Sequence, residues 1–341
     1  MSKQFETFSD FEMMFDHIKQ AEPAFLHTAM PKRYNAPGNY PNFGKVFVPS
    51  AYQNAFLNTA GYGTNETVNS GYTVFAKLAQ YQVPVYYVAV GLCDALSATA
   101  PPNELMLDDI KWPMPAMVFM LPTAFSHKFF GRQVNFISAA RFTAGEDIPS
   151  PGEILTGKMQ TVGVDSPCDQ IIIYYEAVEP KNGLVSNYNS NSPVTRRVGD
   201  VFFDDIKYNG EIWSPEQMFD VQEDGAFANR VFMFVVKMLL VMTARQSYVE
   251  TGVEQRPAKM KHGRLRDALW SPNYIGRAYK AKSEDGGAGG THASPRLHWR
   301  RGHIRNQPHG TGRLLTKVIW LEPTIIGAKE AEEHAGKIVS S

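Results

Sequence analysis

The residues best suited to chemistry lie close together near the C-terminal end of the chain. They are histidines, arginines, a tryptophan and a glutamine: His298, Trp299, Arg300, Arg301, His303, Arg305, Gln307 and Arg313. Guanidinium groups bind phosphates through paired hydrogen bonds, and an aromatic ring can stack on an unpaired base. We therefore predict that these residues form a surface that binds single-stranded RNA or another partner.

The order of these residues predicts how they are shared between two faces. Side chains alternate along a strand, so a strand over residues 296–305 would place one set together: Trp299, Arg301, His303 and Arg305. The opposite face would hold the other set: His298, Arg300 and Ile304. A bulge at Gly302 would break this alternation and bring His298 and His303 to the same side.

Two further interpretations of this cluster stay open. His298 and His303 could cleave RNA without a metal ion, one taking the 2′-hydroxyl proton and the other protonating the leaving oxygen, while Arg301 stabilises charge on phosphorus. Alternatively, these groups bond to the rest of the chain and only hold the segment in place. Nothing in the sequence fixes the distance between the two imidazoles, so enzymatic activity stays open; of the three interpretations we favour a binding protein over a ribonuclease.

The charge of the chain sums to zero but is unevenly distributed. Residues 256–317 contain 14 Lys and Arg but 3 Asp and Glu, a net charge of +11 that leaves −11 on the rest of the chain. Five of the nine histidines lie in the same stretch. This division is typical of a protein that binds an anionic partner, and nucleic acid is the first candidate. Mutual neutralisation of the two parts across an internal interface is the alternative.

Several classes of protein are excluded by what the sequence lacks. Two cysteines, Cys93 and Cys168, are too few for a disulfide scaffold or a zinc ribbon and indicate a reducing compartment. The phosphate-binding P-loop, the two-histidine zinc helix and the GxSxG elbow are all absent from the sequence. The acidic pairs Asp108-Asp109 and Asp204-Asp205 could hold a divalent cation, but adjacent acids diverge, so we interpret them as solvated turns and expect neither a metal nor a cofactor.

The pattern of apolar residues predicts an α+β fold, with a central antiparallel or mixed sheet flanked by helices. Four short apolar runs predict its buried strands: residues 84–90, 116–121, 134–142 and 170–178. The short, proline-rich connections argue against regular crossover helices. Helices are predicted over residues 5–18, 52–60 and 72–81. An almost wholly apolar helix near 226–248 is predicted to lie in the core, because charged residues interrupt a run too short for a bilayer.

The predicted domain boundary follows that apolar helix. Residues 1–250 would form an acidic α+β body, 251–327 a basic His/Arg-rich segment with a Gly-rich linker near 285–290, and 328–341 a terminal tail. Residues 296–305 and 314–321 predict a basic C-terminal β-hairpin around Gly310 and Gly312. The first ten residues carry no apolar secretion signal, so we expect a cytoplasmic protein without membrane contact.

The C-terminal motif resembles the signature of the type V-A anti-CRISPR family that suppresses production of the CRISPR nuclease. The matching residues are His298, Arg300, Arg301, Gly302 and His303, then Gly310, Thr311 and Gly312, then Trp320 and Pro323. Leu121-Pro122 and Tyr274-Ile275-Gly276 are similar to further segments of the family. Over the first hundred residues there is no correspondence.

The resemblance implies a phage or mobile-element inhibitor that acts on expression in a bacterial host cell. The family recognises the CRISPR nuclease while it is being made and lowers its mRNA. Two partners are therefore implied: the nascent peptide of the nuclease, and mRNA or a ribosome-associated partner. From the charge distribution we expect the acidic body to receive a basic nascent peptide and the basic segment to meet RNA. The alternative is a metal-independent ribonuclease or an RNA-binding regulator of another transcript.

Overall fold

The computed structural model describes residues 33–35, 37–41, 74, 77–78, 81, 84–149, 159–162, 167–178, 183, 185–201, 221–257, 259–266, 269–284 and 298–326. Its helices are α1 (Val90–Ser97), α2 (Thr123–Phe130) and α3 (Val221–Ala244). Short 3-10 helices lie at Leu107–Asp109, Val198–Asp200, Gln246–Tyr248 and Thr311–Arg313. The first strands are β1 (Arg33–Tyr34), β2 (Val85–Val88), β3 (Thr99–Ala100), β4 (Ala116–Met120), β5 (Gln133–Phe142), β6 (Glu146–Pro149), β7 (Met159–Val162), β8 (Gln170–Val178) and β9 (Val185–Pro193). The strands after α3 are β10 (Val249–Glu250), β11 (Glu254–Arg256), β12 (Lys259–Lys261), β13 (Arg264–Arg266), β14 (Leu269–Trp270), β15 (Asn273–Ile275), β16 (Lys282–Glu284), β17 (His298–Arg300), β18 (Gly302–His309), β19 (Leu315–Leu321) and β20 (Thr324–Ile326).

Seven strands form the central sheet, in the order β10-β15-β2-β4-β5-β8-β9. The pairs β15–β2 and β2–β4 are parallel and the other pairs are antiparallel, so the sheet is mixed. The strand β4 is buried along its whole length, because side chains on both faces of the sheet are covered. All four strands predicted from the apolar runs occur in this sheet, and the α+β prediction is confirmed.

The helices pack on one face of the sheet and form the main core with it. Side chains such as Phe119, Ile137 and Tyr175 share a single buried apolar cluster with the apolar residues of α3. The ring centroid of Phe234 in α3 lies 5.6 Å from that of Phe125 in α2. The core therefore joins the sheet, α2 and α3 into one packed unit.

The predicted apolar helix is α3, which begins and ends a few residues before its predicted bounds. Among the described residues, the stretch Gly225–Ala244 is the one that is long and apolar enough to cross a membrane. In its most apolar 18-residue segment, 78% of the residues are buried in the protein. The prediction of a buried core helix is confirmed by this packing.

Two features of the sheet differ from expectation. The parallel strands β2 and β4 are joined through α1, so the expectation that the connections exclude crossover helices is wrong at this point. The second feature is β9, which was not predicted because it is rich in Asn and Ser. It is held in the sheet by pairing with β8 along the full length of that strand.

The chain after α3 completes sheets that begin earlier in the sequence. The strand β15 lies between β10 and β2, β14 pairs with β1, and β18 pairs with β3. Gly276 follows β15 with φ +83°, and a Cβ atom there would lie 2.6 Å from Cδ2 of Leu92 in α1. A glycine is required because both the backbone angle and the contact with α1 exclude a side chain.

Some predicted elements lie outside the described residues. They are the helices over 5–18 and 52–60, the Gly-rich linker at 285–290 and the tail at 328–341. Within the predicted helix over 72–81, residues 74, 77 and 78 are described and helical.

Candidate functional site

Most of the predicted site residues lie on a hairpin formed by β18 and β19. The two strands pair in antiparallel register, from His303 opposite Leu321 to His309 opposite Leu315. On its other edge, β18 pairs with β3 only through Gly302 and His303. The predicted basic C-terminal hairpin is therefore confirmed, and its distal half extends beyond the strand that joins it to the rest of the protein.

The prediction of one continuous strand over 296–305 is wrong. The strand β17 pairs with β20, β18 pairs with β19 and β3, and Arg301 lies between these two sheets. Arg301 is therefore not part of a single row that continues from Trp299 to Arg305. Within β18 the predicted alternation holds, because Ile304 is buried while His303 and Arg305 are exposed.

The register of the hairpin defines one surface, which we call the outer face. It is formed by His303, Arg305, Gln307 and His309 of β18 and by Leu315, Lys317, Ile319 and Leu321 of β19. Leu315 is 59% exposed and Leu321 is 39% exposed, so part of the second row is apolar and open to solvent. The outer face thus places a cationic and polar row directly beside a largely apolar one.

The turn of the hairpin explains the glycines of the motif. Gly310 has φ +79° and Gly312 has φ +66°, values that glycine adopts without steric cost. Arg313 also has a positive φ, of 57°, which is unfavourable for a residue with a Cβ atom. Its side chain is exposed at the tip of the hairpin.

Gly302 is required by a close approach of two backbone segments at the base of the hairpin. A Cβ atom at this position would lie 2.7 Å from the backbone nitrogen of Pro323 and 2.8 Å from the carbonyl oxygen of Leu321. The Gly302 N–H donates a 3.1 Å hydrogen bond to the carbonyl of Ala98, just beyond α1. This glycine therefore fixes where the hairpin meets the body.

Trp320 anchors the second strand of the hairpin. Its side chain is 2% exposed, and its Nε1–H donates a 3.2 Å hydrogen bond to Oγ1 of Thr99. The indole also stacks on Tyr279, with ring centroids 5.8 Å apart. A buried indole N–H needs such an acceptor, so the hydrogen bond sets the orientation of the ring.

A buried carboxylate completes the base of the hairpin. The Glu322 side chain is 5% exposed and receives a 3.2 Å bond from Nε of Arg245, which directly follows α3. The Tyr248 hydroxyl donates to the same carboxylate at 3.2 Å, and Nζ of Lys282 lies 3.4 Å from it. Burial, and then the Glu322 charge, raise the pKa of the Tyr248 phenol. The hairpin base therefore supplies the carboxylate of this cluster, and Arg245 and Lys282, from earlier in the chain, supply the cations.

Lys237 of α3 is buried, and Arg301 is one of the charges that act on it. The ammonium of Lys237 donates hydrogen bonds of 2.7 Å to the carbonyl of Leu96 and 3.1 Å to that of Thr99, at the C-terminal end of α1. A cation at the C-terminal carbonyls of a helix is favourable. Burial, and to a smaller extent the charge of Arg301, nevertheless lower the Lys237 pKa to about 8. Two cations are thus held close together at the point where the hairpin begins.

The arginines of the site are directed to solvent. Arg300, Arg301, Arg305 and Arg313 are exposed. Among the described residues, no carboxylate forms an ion pair with Arg301, Arg305 or Arg313. The contacts that hold the hairpin in place are made instead by Gly302, Trp320 and Glu322.

Two predicted site residues are described only by their backbone. His298 and Trp299 lie on β17, where they pair with Ile326 and Ile325 of β20, and their side chains lie outside the described part of the chain. The ribonuclease hypothesis requires the distance between the imidazoles of His298 and His303, and it stays a prediction.

Sequence reasoning missed two cationic residues of this site. Lys317 is exposed on the outer face, opposite Gln307 in the register. Lys237 is a charged residue within an otherwise apolar helix, and this contrast is the signal that could have identified it. Its partners at Leu96 and Thr99 are about 140 positions earlier, a distance that no local pattern reveals.

Within the described ranges, no group of three or more His, Cys, Asp or Glu could hold a metal ion. The Asp108 carboxylate accepts a 2.6 Å hydrogen bond from Arg141, which also bonds to Asp169 at 2.9 Å. Asp204 and Asp205 lie outside the described residues.

The match of a family model to this chain agrees with the C-terminal motif. The model of a family described as the anti-CRISPR type V subtype A2 family, AcrVA2-like, matches residues 86–328, a range that contains α3, the hairpin and all of the central sheet except Val85. The chain is also similar to a solved structure titled "Crystal structure of AcrVA2", with 8% sequence identity, a TM-score of 0.37, and coverage of 93% of this chain and 97% of that chain. No curated protein matches the chain.

Proposed function

The chain belongs to the anti-CRISPR type V subtype A2 family, and from this premise we propose that it represses synthesis of a type V-A CRISPR nuclease. In this proposal the protein recognises the nascent polypeptide of the nuclease in the bacterial cytoplasm and lowers the level of the corresponding mRNA. A binding protein of this kind needs one surface for the peptide and a second for mRNA or a ribosome-associated partner.

The exposed cations at the base and outer face of the hairpin carry the RNA part of the proposal. Arg301 and Arg305 have no described carboxylate partner, and Arg301 lies close enough to Lys237 to lower its pKa. Holding these cations together costs electrostatic free energy, which an anionic ligand would offset. A phosphate backbone supplies such charges, and single-stranded RNA also offers bases to an exposed apolar row.

The peptide part of the proposal rests on charge. The chain outside residues 256–317 carries a net charge of −11, which suits a basic segment of a nascent nuclease. Since peptide and RNA would contact different parts of the chain, the encoded peptide would choose the target and the hairpin would engage its message.

The test measures transcript levels in cells that carry the protein. Three messages are compared: the nuclease message, a synonymously recoded nuclease message and an unrelated message. We expect the first two to fall and the third to stay level, because recoding changes the RNA sequence but not the nascent peptide. Equal levels of all three messages, with and without the protein, would overturn the proposal.

Matched variants connect this effect to the hairpin. Arg301→Ala/His303→Ala removes two exposed site residues and is expected to restore the nuclease message. The control Arg196→Ala/His127→Ala removes the same residue types at exposed positions elsewhere and should leave repression intact. If both variants repress equally well, the hairpin is not the functional surface.

A cleavage assay separates binding from catalysis. We expect the purified protein to leave single-stranded RNA intact with and without divalent cations. Cleavage without added metal that is lost in the Arg301→Ala/His303→Ala variant would instead identify a ribonuclease.

A further inference from the structure

A second cationic element projects from the protein at a different place. The strands β12 and β13 form a two-stranded sheet of their own, joined by a tight turn at His262 and Gly263. Both turn residues have positive φ, 51° and 73°, as the right-handed twist of a two-residue hairpin requires. The neighbouring strands β11 and β14 pair with each other, so this ribbon is the distal end of a longer hairpin.

The register gathers four cations on one face of the ribbon. Lys259 pairs with Arg266, and Lys261 pairs with Arg264, so the four residues share a face. Between residues 256 and 266 the sequence contains no Asp or Glu. Like charges directly opposite each other destabilise a pair of strands, and a two-stranded ribbon has little other stabilisation.

The described side chain on the opposite face of the ribbon is not packed against the rest of the protein. Met260 pairs with Leu265 on that face, and the Met260 side chain is 68% exposed. Lys259, Lys261 and His262 are exposed as well. The strand β12 therefore carries its two lysines into solvent without burying an apolar side chain in return.

We propose that this ribbon binds the phosphodiester backbone of a nucleic acid. Alternate residues of a strand are about 7 Å apart, and opposed residues of an antiparallel pair are about 5 Å apart. Four cations at this spacing match a row of phosphates better than isolated carboxylates, because successive phosphates give a regular line of charge. The ribbon is a separate site from the hairpin of β18 and β19, and it contacts backbone rather than bases, so its binding is independent of nucleotide sequence.

The experiment measures binding of a fluorescent single-stranded RNA and of a DNA of the same sequence by anisotropy, at several salt concentrations. The test variant changes Lys259, Lys261, Arg264 and Arg266 to Gln. The control changes four exposed cations elsewhere to Gln, so that both variants have the same net charge: Lys111, Lys128, Arg196 and Lys280. Both are made in the Arg301→Ala/His303→Ala background as well as in the unchanged protein, and circular dichroism checks that each variant folds.

We expect the ribbon variant to bind both probes more weakly and with a shallower dependence on salt. Each phosphate contact contributes about 0.7 to the slope of log K against log salt for a single strand, so the loss of four contacts flattens the slope by about 3. The charge-preserving variant Lys259→Arg/Lys261→Arg should keep the original slope. Loss of binding to RNA alone would name RNA as the source of the phosphates, and loss with both probes would indicate any nucleic acid.

Two results would overturn the proposal. One is a ribbon variant that binds with the same slope as the control variant. The other is displacement of the RNA by a poly-glutamate peptide at equal charge concentration, which would assign the ribbon to an acidic protein partner. Because the loss is expected in the Arg301→Ala/His303→Ala background too, failure of the hairpin proposal and failure of the ribbon proposal give different outcomes.

Discussion

The buried ammonium of Lys237 makes the stability of the protein depend on pH in a way that one substitution removes. Burial, with a further contribution from Arg301, lowers its pKa from 10.5 to about 8. Between these two values the unfolded chain binds more protons at this residue than the folded chain does. The free energy of unfolding therefore rises as pH increases from 8 to 10.5, and the penalty for burying the charge is fully present below pH 8.

The size of the effect follows from the shift. A change from 10.5 to about 8 corresponds to about 3 kcal/mol, of which about 2.5 kcal/mol is recovered between pH 7 and pH 10. Lys237→Met keeps most of the side-chain volume and removes the charge, so this rise should disappear. The value at pH 7 is less informative, because the variant also loses the hydrogen bonds to the carbonyls of Leu96 and Thr99, each worth about 1–3 kcal/mol.

The assay is urea unfolding at pH 7, 8, 9 and 10, followed by tryptophan fluorescence. Lys128→Met serves as the control, since Lys128 is exposed. Burial raises the pKa of the Cys93 thiol well above its ordinary value, which lowers stability as the unfolded thiol ionises. This opposite contribution is present in all three proteins and cancels in the differences between them. If the unfolding free energies of wild type and Lys237→Met change in parallel with pH, the reasoning is refuted.

The hairpin gives three further predictions. Gly302→Ala should lower the free energy of unfolding by more than about 2 kcal/mol, because the added Cβ atom would meet backbone atoms of Leu321 and Pro323. Gly38 has open space around it, so the control Gly38→Ala should change the free energy of unfolding little in the same urea titration. Trp320→Phe and Thr99→Val should each cost about 1–2 kcal/mol, and a double-mutant cycle should show less than additive losses; additive losses would mean that the hydrogen bond contributes nothing. Arg313→Gly should stabilise the protein by up to about 1 kcal/mol by relieving its positive φ while flattening the salt dependence of RNA binding by about 0.7, and an unchanged slope would remove Arg313 from the RNA surface.

The sequence predicted the parts of the fold whose burial is continuous along the chain. The strands β4 and β8 are covered on both faces, so nearly every residue is apolar and the run is visible without knowledge of its neighbours. The strand β9 has no such run. Its Tyr188 is buried against Tyr175 and Phe227, but the residues around Tyr188 in the strand are Asn and Ser. The place of β9 in the sheet is set by its pairing with β8.

The site was predicted in composition but not in arrangement, and the reason is again long-range pairing. Arg301 interrupts the predicted strand because the residues on either side pair with different partners. Gly302 pairs with Thr99, about 200 positions earlier, and Arg300 pairs with Thr324, just beyond the hairpin. Neither partner has a local signal that identifies it. The alternation that places His303 and Arg305 on one face was predictable, because it depends only on the strand itself.

The geometry divides the C-terminal motif into residues with two different roles. Gly302, Trp320 and Pro323 are buried and hold the hairpin against α1 and the strands beside it. Arg301 and His303 are exposed, and their side chains form none of those anchoring contacts, although the backbone of His303 pairs with β3. A match to the buried members of the motif therefore predicts a hairpin docked in this geometry, while any recognition of RNA depends on the exposed members. Substitutions at the buried members would abolish anchoring and binding together, so only the exposed members, with a stability measurement beside the binding measurement, can separate the function of the hairpin from its fold.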